Sequence, residues 1–134
     1  EFTWNVFAAH YIEMVKARAY GIDFSDEERD GAIFTLHKTL ATILKLLAPI
    51  TPFITEHLWK TLYSDESIHQ QKQVSVENVE EQTDITKEIS EFNSKVWNEK
   101  KSQNLSLKDS IKIEIPKILE PFKKDLKSMH NLVD

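Results

Sequence analysis

Two prolines three residues apart, Pro49 and Pro52, interrupt the longest stretch of helical periodicity in the chain. Proline has no amide hydrogen to donate, and it pushes the residue before it out of the helical region. A helix arriving through Ile33, Leu36, Leu40, Ile43, Leu44 and Leu47 must therefore stop near Ala48. A new one can start at once, with Thr51 as cap and Pro52 at the first helical position, where a missing amide hydrogen costs nothing. So short a connection makes the two helices antiparallel neighbours. Few other turns are available, because 134 residues hold only 2 Gly and 4 Pro against 29% charged residues. That balance favours long helices over a sandwich or barrel. With 40% apolar residues the chain can bury a genuine core.

The same reasoning extends in both directions. From Phe2 to Tyr20, Trp4, Phe7, Tyr11, Met14 and Val15 form one apolar stripe and Phe2, Val6, Ala9 and Ile12 another, which predicts a helix packed on two sides. His10, Glu13 and Lys16 make its exposed strip, and Gly21 follows as a residue able to take the left-handed conformation that ends a helix. Ser25-Asp26-Glu27-Glu28 is a capping box that opens a second helix of about 22 residues, with Lys38 and Lys45 on its outer side. The third helix, after Pro52, is expected to bury Phe53, Ile54, Leu58 and Leu62, with Trp59 beside them. Residues 64–82 lack periodicity and read as an irregular acidic connector with apolar alternation only at Val74 and Val76. A fourth helix begins at Thr83 on the stripe Ile85, Ile89, Phe92, Val96 and stops at Asn104. Ile111, Ile113 and Ile115 alternate with polar residues as a short strand closed by Pro116. Its partner is expected in the connector or beyond Asp134. A last helix near Pro121 uses Phe122, Leu126 and Met129. The resulting expectation is a mainly α fold, an antiparallel helical bundle with a short C-terminal strand-helix extension. Residues 1–63 would be the bundle, 64–82 the connector and 83–134 a helix-strand-helix extension.

The chemistry this sequence can carry is limited. Without Cys there is no disulfide frame or thiolate metal site, which is compatible with a reducing cytosol. Lys45 interrupts the best apolar run, so no membrane span or membrane partner is expected. His10, His37, His57, His69 and His130 are scattered without the spacing of a helical metal site, and no metal is assigned. Two isolated glycines build no phosphate cradle, and no nucleophile motif is present, so no catalytic residue is assigned. A net charge of −5 disfavours nucleic acid on its own, but residues 65–93 hold eight acidic and two basic groups while residues 94–134 hold nine basic and six acidic. Trp4, Phe7 and Tyr11 with Lys16 and Arg18 could stack bases and hold phosphates, although a stripe at helical spacing is more often core. Lys100, Lys101, Lys108, Lys123, Lys124 and Lys127 form a second basic set, most simply a solvated surface. With only Arg18 and Arg29, bidentate readout of base edges is not the obvious mode.

The run Lys45-Leu46-Leu47-Ala48-Pro49-Ile50-Thr51-Pro52-Phe53-Ile54-Thr55-Glu56-His57-Leu58-Trp59 closely resembles a signature of class I aminoacyl-tRNA synthetases for valine, isoleucine and leucine. Upstream, Phe2-x-Trp4-x-x-Phe7-x-x-His10-Tyr11-Ile12-Glu13-x-Val15-Lys16 looks like the helix that precedes it in the same enzymes. Glu66-Ser67-Ile68-His69, and Lys100 followed by Leu105-Ser106-Leu107-Lys108, look most like the valine-specific members, archaeal forms in particular. Ala8-Ala9 stands where those enzymes usually have Cys-Asp, and Gln70 to Val74 where they have Trp-Pro, which keeps the isoleucine-specific members as an alternative.

The resemblance implies a helical bundle that binds the anticodon stem and loop of tRNA, attached to a nucleotide-binding catalytic domain of the same parent chain. Neither catalytic signature of that domain is present here, nor is the first bundle helix, and Glu1-Phe2-Thr3-Trp4 opens without a cap or initiator Met. The chain therefore reads as a non-catalytic piece of an ATP-dependent ligase of protein biosynthesis, cytoplasmic and monomeric. It would take no cofactor itself, ATP and Mg²⁺ belonging to the catalytic domain. Antiparallel helices bring the start of the first helix to the same end as the turn between the second and third. That end holds Trp4, Asn5, Lys45, Thr51, Phe53 and Thr55, the residues expected to meet tRNA. A free-standing helical protein-interaction module or a general single-strand binder would use the same helices.

Overall fold

The computed structural model describes residues 2–72, 74–75 and 85–133. Described residues fold into five α-helices, α1 (Ile12–Ala19), α2 (Asp26–Leu47), α3 (Pro52–Leu62), α4 (Thr86–Ser102) and α5 (Lys123–His130). A π-helical segment, Phe2–Tyr11, leads into α1, and 3₁₀ turns occupy Ile68–Gln70 and Lys117–Phe122. The chain is mainly α, as its composition predicts, and two compact units share it: residues 1–32 with 82–134, and residues 33–81.

In the first unit α1 packs against α5 and the π-helical segment against α4. Phe7, Met14, Val15, Phe92, Val96, Leu119 and Leu126 are buried there. The first helix departs from its expected two-sided burial, since Phe2 and Trp4 are 59% and 78% exposed. In a π-helix each amide bonds five residues back, so the wider turns rotate the early side chains away from the faces a 3.6 period assigns. His10 moves the other way, from the expected exposed strip to a half-buried position against α4. Gly21 ends α1 with φ +69°, and its amide donates to the Arg18 carbonyl at 2.9 Å. The capping box forms, with the Ser25 amide donating to Glu28 at 2.8 Å and the Glu28 amide to the Ser25 hydroxyl at 3.2 Å. Asn104, φ +55°, follows α4, whose last turn closes through Leu105 N to Lys100 O at 2.8 Å and Asn104 N to Lys101 O at 3.1 Å.

The expected strand reduces to a single parallel bridge, Ile111 with Leu132. Ile111 donates to the Asn131 carbonyl at 3.3 Å and accepts from the Val133 amide at 3.1 Å. The partner thus lies inside the chain, just after α5, where Asn131 at φ +52° turns the backbone back on itself. Ile113 and Ile115 pair with no strand among the described residues.

In the second unit Leu44, Ala48, Trp59 and Ile68 form the core, with Leu40, Ala41, Leu58 and Tyr63 against it. The face that α3 buries is Thr55 and Trp59, whereas Phe53, Ile54 and Leu62 are exposed, contrary to the sequence reading. Part of the expected connector is ordered structure: Ile68, 3% exposed, plugs the core from its 3₁₀ turn. Glu56 of α3 holds that turn, accepting from the Ser67 hydroxyl and the Ile68 amide at 2.9 Å each. Burial alone would raise the Glu56 carboxyl, but the Ile68 amide, Lys60 and the Ser67 hydroxyl together hold it below the ordinary carboxylate value. The remaining connector positions, Gln73 and residues 76–84, with Val76 among them, lie outside the described residues.

Candidate nucleic-acid interface

The turn between α2 and α3 is fixed by one acceptor. The Leu47 carbonyl receives the Ile50 and Thr51 amides at 2.9 Å each and the Thr51 hydroxyl at 3.3 Å. Thr51 stands at the cap position, but its side chain bonds backwards to α2 and does not cap α3. Thr55 completes the lock from the other side. It is 1% exposed, and its hydroxyl bonds to the Thr51 and Pro52 carbonyls at 2.9 and 3.1 Å. From that position it holds the turn, with no hydroxyl face toward solvent.

A locked turn with outward apolar side chains is the result. Phe53 is 92% exposed and Ile50 75%. Near the end of α2 the Lys45 ammonium lies over the Trp59 ring, 5.1 Å from its centre, an attraction that steadies the lysine. Lys45, Thr51, Phe53 and Thr55 thus gather at the α2–α3 turn of the second unit. Trp4 and Asn5, both exposed, belong to the first.

The first unit contains polar clusters that scattered sequence positions did not reveal. His130, 2% exposed, donates from Nε2 to Asn93 Oδ1 at 2.7 Å, and Asn93 in turn donates to His10 Nδ1 at 3.1 Å. His10 Nε2 completes the chain to the Ser90 hydroxyl at 3.2 Å, and its ring stacks on Trp97. Burial, reinforced by the neighbouring Lys100 charge, pushes His130 down to about 4. Lys100 is not in the solvated lysine set that the sequence suggested: it is 1% exposed and donates to the Leu107 and His130 carbonyls at 2.7 Å each. Burial lowers its basicity, with Asp109 opposing. Arg18 forks onto Asp125, the Nε bond measuring 2.9 Å. These groups are engaged with one another, so they hold helices together and present no open reactive centre. No group of three or more His, Asp or Glu among the described residues could hold a metal ion.

Comparison with known proteins accounts for the turn and the helix before it together. The family described as "Anticodon-binding domain of tRNA ligase" matches residues 1–115. A valine–tRNA ligase of Pyrobaculum aerophilum is 37% identical over 145 residues, covering 99% of this chain and 17% of that protein. That of Nanoarchaeum equitans is 40% identical over 134 residues, covering 98% of this chain and 17% of its own length. The Aeropyrum pernix enzyme is 34% identical over 139 residues, with 97% and 17% covered. This chain therefore spans about a sixth of the length of these curated relatives. No solved structure matches it. Matched over most of its length by the family and over nearly all of it by these relatives, the chain belongs to the anticodon-binding domain family of tRNA ligases.

Proposed function

We propose that this chain recognises the anticodon stem and loop of tRNA as part of a valine–tRNA ligase, and positions that tRNA for aminoacylation by a catalytic domain elsewhere in the polypeptide. The observation that carries the reading is Phe53, 92% exposed on a turn whose backbone and hydroxyls are hydrogen-bonded into one conformation. An exposed aromatic costs solvation unless something stacks on it, and a rigid mount lets a splayed base do so without ordering the protein. Trp4, 78% exposed, offers a second platform. Valine enzymes among the relatives support valine specificity over isoleucine. A cysteine-free chain suits a reducing cytosol.

ATP is the co-substrate of such ligases, and in this reading its binding belongs to the catalytic domain. Gly21 closes α1 and Gly31 lies inside α2, so neither contributes to a phosphate-cradling loop. In this reading the chain contributes recognition, and the chemistry belongs to the catalytic domain.

In the complete polypeptide, Phe53→Ala is expected to weaken binding of a valine tRNA transcript by roughly 5- to 150-fold, the effect of losing one base stack worth ~1–3 kcal/mol. Filter binding against the same tRNA with a replaced anticodon loop should show little difference between variant and parent. Equal affinity of parent and Phe53→Ala for the intact tRNA would refute the assignment.

A further inference from the structure

The outer face of α2 holds two depressions, of about 310 and 420 Å³, that share Lys45, Lys72 and Val74 and so form one groove. Its walls are α2 on one side and the chain after the Ile68–Gln70 turn on the other, all within the second unit. Lys38, Lys45 and Lys72 line it, with Thr42, His69 and Gln71 as polar neighbours, and no carboxylate among the described residues does. None of the three lysines makes an ion pair within 4.0 Å with a described residue. Lys38 and Lys45 are seven residues apart, two helical turns, so they stand on one side of α2 about 10 Å apart along its axis. Lys72 reaches the same groove from the facing segment.

We infer that this groove grips the sugar–phosphate backbone of RNA through Lys38, Lys45 and Lys72, beside the turn that carries Phe53. The inference rests on the tRNA-binding reading above and adds a second, chemically different contact to it. Three ammonium groups that form no ion pair with a described residue converge from two walls and match a run of anionic oxygens, whereas a protein partner would need apolar or acidic complement on this scale. The space is roughly that of ten water molecules in the smaller depression alone, ample for a phosphodiester. The lysine-lined groove of the other unit is a weaker candidate. Glu114 and Glu120 interrupt it, and Glu120 holds Lys123 at 2.8 Å.

Phosphate contacts release counterions, so each one steepens the salt dependence of binding and does so for every sequence alike. The Lys38→Gln/Lys72→Gln double variant in the complete polypeptide, with unchanged far-ultraviolet circular dichroism, is expected to flatten the slope of log Kd against log salt by about 1.4 for a valine tRNA transcript. It should weaken transcripts with native and replaced anticodon loops equally. Phe53→Ala should leave the slope as it is. An unchanged slope in the double variant, or a loss confined to the native anticodon loop, would overturn the groove assignment. A flattened slope combined with a silent Phe53→Ala would keep the groove and discard the stacking turn.

Discussion

His130 carries the sharpest consequence of burial on a single residue. Its imidazole is neutral in the fold, pushed down to about 4 from an ordinary 6.5 by burial and by Lys100. Above 6.5 neither the folded nor the unfolded state binds this proton. Between 6.5 and 4 the unfolded chain binds it and the folded chain resists, so stability falls as the pH falls through that window. The loss from this one group reaches on the order of 3 kcal/mol by pH 4. Urea titrations at several pH values should show the decline, and His130→Gln, which keeps a donor toward Asn93, should lose most of it. A His130 ring that titrates near 6.5 by NMR would contradict the buried neutral state. Arg18 and Asp125 illustrate the same economy with charges. Asp125 is 1% exposed, and its forked bonds from Arg18 tie α1 to α5 across 107 residues of sequence. Removing Arg18 would leave the Asp125 carboxylate buried without its counter-charge.

At the scale of elements, local chemistry accounts for most boundaries. Ser25 and Glu28 start α2 as their spacing predicts, Gly21 and Asn104 stand in left-handed conformations where α1 and α4 end, and the prolines separate α2 from α3. These were legible because caps and breakers act through bonds between near neighbours. Gly31 has no such role. It sits inside α2, and a methyl group added there meets nothing within 4 Å. Gly31→Ala is therefore expected to raise stability by about 0.5–1 kcal/mol, through helix propensity and a less flexible unfolded chain, measured as a higher thermal midpoint. A lower midpoint would mean that the position meets something the helix itself does not show. The illegible features are the π-helical winding of Phe2–Tyr11 and the outward turn of Phe53 and Ile54. Both break the 3.6-residue pattern from which faces are read, the first by changing the period, the second because Thr55 and Trp59 already fill the buried side of α3.

For the molecule as a whole, charge distribution bears on where the proposed RNA contact can form. A net charge of −5 repels polyanions at a distance, so affinity must come from local clusters within a Debye length, about 8 Å at physiological salt. The nine basic residues among residues 94–134 look like the natural place. The fold redistributes them: Lys100 is buried on two carbonyls, Lys123 pairs with Glu120, and Lys124 sits 4.0 Å over the Phe24 ring and 3.2 Å from Glu28. Lys108→Gln with Lys112→Gln is thus expected to change tRNA affinity less than about twofold at physiological salt, well below the effect of the Lys38/Lys72 pair. A larger loss in a salt-series binding assay would place the backbone contact in the C-terminal region.

The sequence by itself determined the helical class, the capping box, the proline turn and the kinship of that turn, because each depends on residues within a few positions of one another. Only the tertiary structure decided which aromatics remain exposed, that the strand partner of Ile111 is Leu132, that Lys100 and His130 are buried together, and that Lys72 joins Lys38 and Lys45 in one groove. The physical reason is common to all four. Burial and charge pairing depend on which surfaces meet, and residues as distant as Arg18 and Asp125, or His10 and Asn93, become neighbours only when helices pack.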